Sequence, residues 1–198
     1  MRAAILCPGP SLRNVEERDL AQFAGMVLAI NGAIEHPARA AFWLCRDPKA
    51  AYLHLPLALK RPAPILVHPA TWDQTGSLHA IEAWPWDKQR AIERMTRWAF
   101  RDEDVQARCD FLHGYASWRR FTLTTAIAWL FSVGFREVQL FGADLAGTGT
   151  YSGRACYADE ETAAARWRRE RNHLEMLTGL AGGDGLEVIR RTDLLPAP

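Results

Sequence analysis

The 198-residue chain carries 24 Lys and Arg against 23 Asp and Glu, with 48% hydrophobic and 24% charged residues. These proportions suit one globular domain spanning 1–198, and the near-neutral charge counts against a dedicated nucleic-acid binder. No apolar run reaches the ~20 residues that cross a bilayer, and Cys7, Cys45, Cys109 and Cys156 form no C-x-x-C pair, which points to a reduced, cytoplasmic protein without a metal site.

In chain order, Ala3–Cys7 predicts a buried strand ended by Pro8-Gly9-Pro10. Leu12–Phe23 follows as a helix, with Leu12, Val15, Leu20 and Phe23 on its apolar side. Met26–Ile30, ended by Asn31-Gly32, is a second strand, and Ala41–Cys45 a third. Asp47-Pro48 is the usual start of a helix, with Asp at the N-cap and Pro in the first turn. Ile65–His68 is a fourth strand. Residues 69–118 break the alternation: they hold five of the eight Trp and one clear helix, Lys88–Phe100, and are expected to form an insertion or lid. Thr122–Val133 is apolar almost all round and predicts a central helix stopped by Gly134. Glu137–Phe141 is a fifth strand, Thr162–Leu180 a long basic helix ended by Gly182-Gly183, and Leu186–Ile189 a sixth strand. Leu195-Pro196-Ala197-Pro198 reads as a loose tail. Short apolar runs bounded by turn residues are strands buried on both faces. Alternating with helices, they predict a Rossmann-like, doubly wound α/β domain with a mainly parallel sheet of about six strands.

In such a sheet ligands bind beyond the carboxyl ends of the strands. The residues that follow the strands are therefore the candidates. Gly9 would let backbone N–H groups approach a phosphate, and Ser11 would donate to it; both also fit a plain turn with Ser11 as helix cap. Asn31 beside Gly32 fits a base or ribose edge, or a turn. Asp47 is a helix cap or a ligand contact. Asp144 is a carboxylate behind a buried strand, where it needs a partner or a task. His113 and His68 are possible general bases, although single histidines are more often surface or packing residues. No G-x-G-x-x-G or G-x-x-x-x-G-K-[ST] loop is present, which disfavours NAD and P-loop chemistry. The arginines at 166, 168, 169 and 171 read as a solvated helix face before a phosphate or nucleic-acid contact.

Leu6-Cys7-Pro8-Gly9-Pro10-Ser11-Leu12 resembles the GPSL loop of the bacterial family 42 sialyltransferases. The same loop occurs in the DUF115 proteins, relatives of the MptE-type hydroxymethylpterin diphosphokinase. Ala29-Ile30-Asn31-Gly32 resembles the family's second-strand Asn, and the stretch from Phe121-Thr122 to Gly142-Ala143-Asp144-Leu145 its long helix, turn, strand and G-x-D segment. The likeness covers about half the chain and leaves 52–118 unmatched. It implies a nucleotide site formed by Gly9, Ser11, Asn31, Thr122 and Asp144. Tyr151 stands near one of two family tyrosines that hold the departing phosphate, with Ala146 at the other. The family's downstream His has no counterpart between Tyr151 and Arg171, and His173 falls in the following helix.

The expected function is transfer from a nucleotide-activated donor, most simply a glycosyltransferase-like reaction with a CMP-sugar as first choice. Gly9, Ser11, Asn31, Gly32, Asp47, Thr122, Asp144 and Tyr151 would hold the donor, and Asp144 or His113 would take the proton from a small-molecule or glycan acceptor. The Trp-rich segment would wall the acceptor. The alternatives are a diphosphokinase, which would need Mg²⁺ on Asp144 and Asp47, and a non-catalytic nucleotide-binding or phage-accessory protein. Base modification of nucleic acid ranks lower because of the near-zero charge. A homo-oligomer is compatible with the sequence.

Overall fold

The computed structural model describes residues 1–21, 23, 25–61, 65–67 and 102–191. The expected helix at Lys88–Phe100, His68, the tail and four of the five clustered Trp lie outside the described residues. The strands are β1 (Arg2–Leu6), β2 (Met26–Ile30), β3 (Phe42–Cys45), β4 (Ile65–Val67), β5 (Glu137–Phe141) and β6 (Glu187–Arg190). They form one sheet in the order β4-β3-β2-β1-β5-β6, with every pairing parallel. This is the doubly wound α/β architecture that the apolar runs predict. The chain builds outward from β1 to β4, then returns to the other side of β1, so the topological switch lies between β1 and β5.

Alternate residues of each strand enter different cores, as the two-residue period requires. Ala3, Ile5, Leu28, Leu44, Val138 and Leu140 join one cluster. Its helical cover comprises α3 (Asp102–Gln106), α4 (Thr122–Ser132) and α5 (Glu160–Gly183), together with the segment around Phe111 and Trp118. Ala4, Leu6, Ala29, Trp43 and Phe141 join the other, beneath a helix at Glu17–Ala21 and a longer one at Pro48–Lys60. In chain order these two are α1 and α2. Helix α4 fits its central place: Ala126, Ile127, Ala128 and Leu130 are wholly buried.

Three local expectations are corrected. The single helix over Leu12–Phe23 is instead a 3₁₀ turn, Pro10–Asn14, followed by the short α1. Val15, with extended backbone at φ −89° and ψ 115°, separates them and carries its side chain into the core. Helix α5 passes through Gly182-Gly183 and stops at Asp184, where Gly185 takes φ +83°. Trp118 is fully buried in the α4 and α5 core and walls no open site. The described part of the 69–118 segment, residues 102–118, sends Val105, Cys109, Phe111, Leu112 and Tyr115 into that same core.

Candidate functional site

A cleft of about 550 Å³ opens at the carboxyl ends of the central strands, a volume suited to a ligand of nucleotide size. Gly9, Asn31, Gly32, Asp47, Thr122 and Asp144 all line it. These six residues come together from five separate segments of the chain.

The wall at the topological switch is made by two loops in unusually close approach. Cys7 N–H donates to Phe141 O at 2.7 Å and Gly9 N–H to Gly142 O at 2.9 Å. A Cβ on Gly9 would lie 2.3 Å from Gly142 O, and one on Gly142 would lie 2.3 Å from Cys7 O. Gly142 also has φ +68°, so both positions require glycine. Asp144 then ties the loops together. Its carboxylate accepts from Ser11 N at 2.7 Å and from Ser11 Oγ. Arg190 holds the adjoining backbone, donating to Ala143 O at 2.7 Å and Asp144 O at 2.5 Å. Ser11 is 2% exposed and lies behind the wall, outside the cleft lining. Asp144 is thus a lining residue already engaged as an acceptor.

The opposite wall is different. Asn31 has φ +46°, a left-handed conformation that Asn tolerates better than most residues. Trp43 Nε1–H fixes it there by donating to Asn31 O at 2.8 Å. The side-chain Oδ1 of Asn31 is buried and has no hydrogen-bond partner. A buried acceptor without a donor costs roughly 1–3 kcal/mol, which makes this atom a natural seat for a ligand N–H or O–H. Asp47 caps α2 through Ala50 N at 3.3 Å, as its sequence context predicts.

The third side is the start of α4. Phe121 precedes the helix and supplies no side-chain cap. Thr122 and Leu123 of its first turn line the cleft beside Arg120. Uncapped first-turn amides and an arginine make an anion-binding corner.

Two candidates move away from the cleft. His113 is exposed after the 3₁₀ turn Asp110–Leu112 and does not line the cavity. Tyr151 is drawn behind the wall: its N–H donates to Pro8 O at 3.0 Å, and its ring meets His36 edge-on at 5.9 Å. Burial, with Glu35 nearby, pushes the Tyr151 hydroxyl up to about 12. Tyr157 lines the cleft instead, packed at 86° against Trp167 with ring centroids 5.2 Å apart. Burial raises its pKa too, so it stays an O–H donor.

The sequence reading also missed Glu170 and His54. Glu170 lines the cleft at 8% exposure, and burial pushes its carboxyl up to about 7, against the opposing charge of Arg166 at 3.9 Å. Its signal was readable: the buried residues of α5 are Ala163, Glu170, Leu174, Leu177 and Ala181, so a carboxylate sits on the apolar stripe. His54 is 8% exposed on α2 and lines the same cleft; no local pattern announced it. Cys7 and Cys45 are buried thiols held well above their ordinary pKa by desolvation, which removes them as nucleophiles at neutral pH. Among the described residues no three His, Cys, Asp or Glu side chains converge as metal ligands. No described helix is long and apolar enough to cross a membrane.

No family model matches the sequence, and no curated protein matches it. The fold does match solved structures. The sialyltransferase CST-II in complex with a trisaccharide acceptor and CMP superposes with a TM-score of 0.54 at 13% identity, covering 96% of this chain and 80% of that one. CstII from Campylobacter jejuni in complex with the substrate analogue CMP-3FNeuAc gives 0.56, also at 13% identity, over 96% and 81%. At this identity the likeness is one of fold.

Proposed function

We propose that this protein transfers a group from a nucleotide-activated sugar, with a CMP-sugar as the first donor to test and a glycan or small molecule as acceptor. The observation that carries the reading is the buried, unpartnered Oδ1 of Asn31, held at φ +46° in a cleft at the carboxyl ends of a parallel sheet. Its role is to accept from a ribose hydroxyl or a base amino group, with Gly32 leaving room beside it. The phosphate belongs at the α4 start, where the first-turn amides, Thr122 and Arg120 stabilise negative charge. Tyr157, rather than Tyr151, is placed to donate to the departing phosphate. The likeness to structures solved with CMP and CMP-3FNeuAc supports this choice of donor.

The chemistry needs a leaving phosphate that is stabilised as charge develops, and an acceptor hydroxyl that loses a proton. Asp144 is poorly suited to the second task because both its oxygens already accept from Ser11. The direct test is thermal shift and calorimetric titration with CMP, CDP, UDP, GDP and ATP, with and without Mg²⁺. Stabilisation by a cytidine nucleotide without Mg²⁺ is the expected result. Binding of ATP alone, dependent on Mg²⁺, would favour diphosphate transfer, and no binding at all would reject the nucleotide reading.

A further inference from the structure

The 3₁₀ turn Asn31–Glu35 carries Asn31 at one end and Glu35 at the other. Helix α2 lays His54 against this turn. His54 Nδ1 lies 3.1 Å from Glu35 Oε1, and a Cβ on Gly32 would stand 3.1 Å from His54 Nε2. Glu35 is also approached by Arg154 at 3.5 Å, from the loop after β5. A chain Arg154–Glu35–His54 therefore ends at the ring edge beside Gly32, in the cleft and next to the unpartnered Asn31. Nδ1 stands at ion-pairing distance from Glu35 without an aligned hydrogen bond to it; with the ring proton on Nδ1, Nε2 is left as an acceptor.

We propose that His54 is the proton acceptor of the transfer reaction and that Glu35 positions it, a role that rests on the nucleotide-sugar reading of the same cleft. The acceptor hydroxyl oxygen forms a new bond to the donor sugar's anomeric carbon. The bond from that carbon to the phosphate oxygen breaks, its electron pair leaving with the nucleotide. The hydroxyl proton passes to Nε2 of His54. The Glu35 carboxylate, 3.1 Å from Nδ1, stabilises by its charge the imidazolium that forms. Burial lowers the His54 pKa from its ordinary value, opposed by Glu35 and Asp47 and assisted by Arg154, so the ring is neutral and ready to accept at pH 7. Glu35 also acts on Tyr151, whose hydroxyl stays protonated.

The test measures nucleotide binding and donor turnover side by side, using CMP binding and the release of CMP from CMP-sugar donors with water or a glycan as acceptor. His54→Gln is expected to lower turnover by ~10²–10⁴-fold while CMP binds within about twofold of wild type. Wild-type turnover should fall on acidification as His54 protonates. In Glu35→Gln the acid limb should move to lower pH, because the charge that favours imidazolium is gone, and the plateau should drop; a merely structural Glu35 would leave the limb in place. Full turnover in His54→Gln overturns the proposal, most directly if Glu170→Gln is the variant that loses it. Wild-type protein that binds CMP yet releases none from any donor also overturns it, while the nucleotide site stands. Failure to bind any nucleotide rejects the underlying reading first, and the proton-acceptor role with it.

Discussion

The two walls of the cleft use polar groups in opposite ways. At the β1–β5 switch, Gly9, Ser11, Gly142 and Asp144 satisfy one another so completely that the wall is a brace. Across the cleft, the turn after β2 holds a buried oxygen with no partner and a His–Glu pair facing the same space. The recognisable motif is thus the scaffold, and the less conspicuous turn opposite it offers the chemistry. Polar groups that already satisfy each other resist change through stability; those left open respond through binding.

That contrast can be broken by substitution. Gly9→Ala should have the largest effect, destabilising the protein by about 4 kcal/mol or more in urea unfolding, because its methyl meets a carbonyl oxygen that the sheet holds in place. Near-native stability would show that the two loops separate easily. Glu170→Gln should act in the other direction and only at higher pH. The folded-state pKa is raised to about 7 from 4.5, so the contribution is fully present below pH 4.5 and lost as pH rises through about 7. By pH 9 the neutral variant should be more stable than wild type by roughly 3 kcal/mol, with little difference at pH 4. A flat stability difference from pH 4 to 9 would show that the carboxyl is not strained by burial.

Asp144→Ala should cost about 2–3 kcal/mol, since Ser11 N and Oγ both lose their acceptor in a part-buried wall. If nucleotide affinity fell while stability held, the brace would have to be reread as a ligand contact. Asn31→Gly is the complement: it keeps the left-handed backbone without strain but removes Oδ1. Affinity for CMP should drop by about tenfold, roughly 1.4 kcal/mol, with the unfolding midpoint unchanged or slightly raised. An unaltered affinity would remove the observation on which the donor site rests.

Most of the sheet was legible because its strands are short apolar runs closed by Pro, Gly or Asn, and only parallel strands covered on both faces read that way. The helix over Leu12–Phe23 misled because its apolar spacing is real, yet Pro10 opens a tighter turn and Val15 breaks the run to reach the core. Tyr151 looked well placed by its distance from the G-x-D segment. The bond from Tyr151 N–H to Pro8 O and the Arg13 guanidinium donating to Tyr151 O hold it behind the wall, while Tyr157 lines the cleft. Nothing local encodes that placement. The meeting of Glu35 with His54 is likewise set by how α2 docks on the turn after β2, a product of packing that no periodicity in either segment announces.

Strand β1 is flanked by β2, a short distance along the chain, and by β5, which follows almost the whole first two-thirds of the sequence. During synthesis on the ribosome, at ~5–20 residues per second, one edge of β1 therefore stays bare for many seconds after β2 has emerged. The exposed backbone belongs to a strand that the finished fold buries deeply, with Ala3, Ala4, Ile5 and Leu6 all at zero exposure. A bare edge of this kind is the surface that holding chaperones cover in nascent chains, and here it is paired only once residue 141 has cleared the exit tunnel. Slowing translation just before β5 would lengthen that window and lower the soluble yield, whereas slowing it after β6 would not.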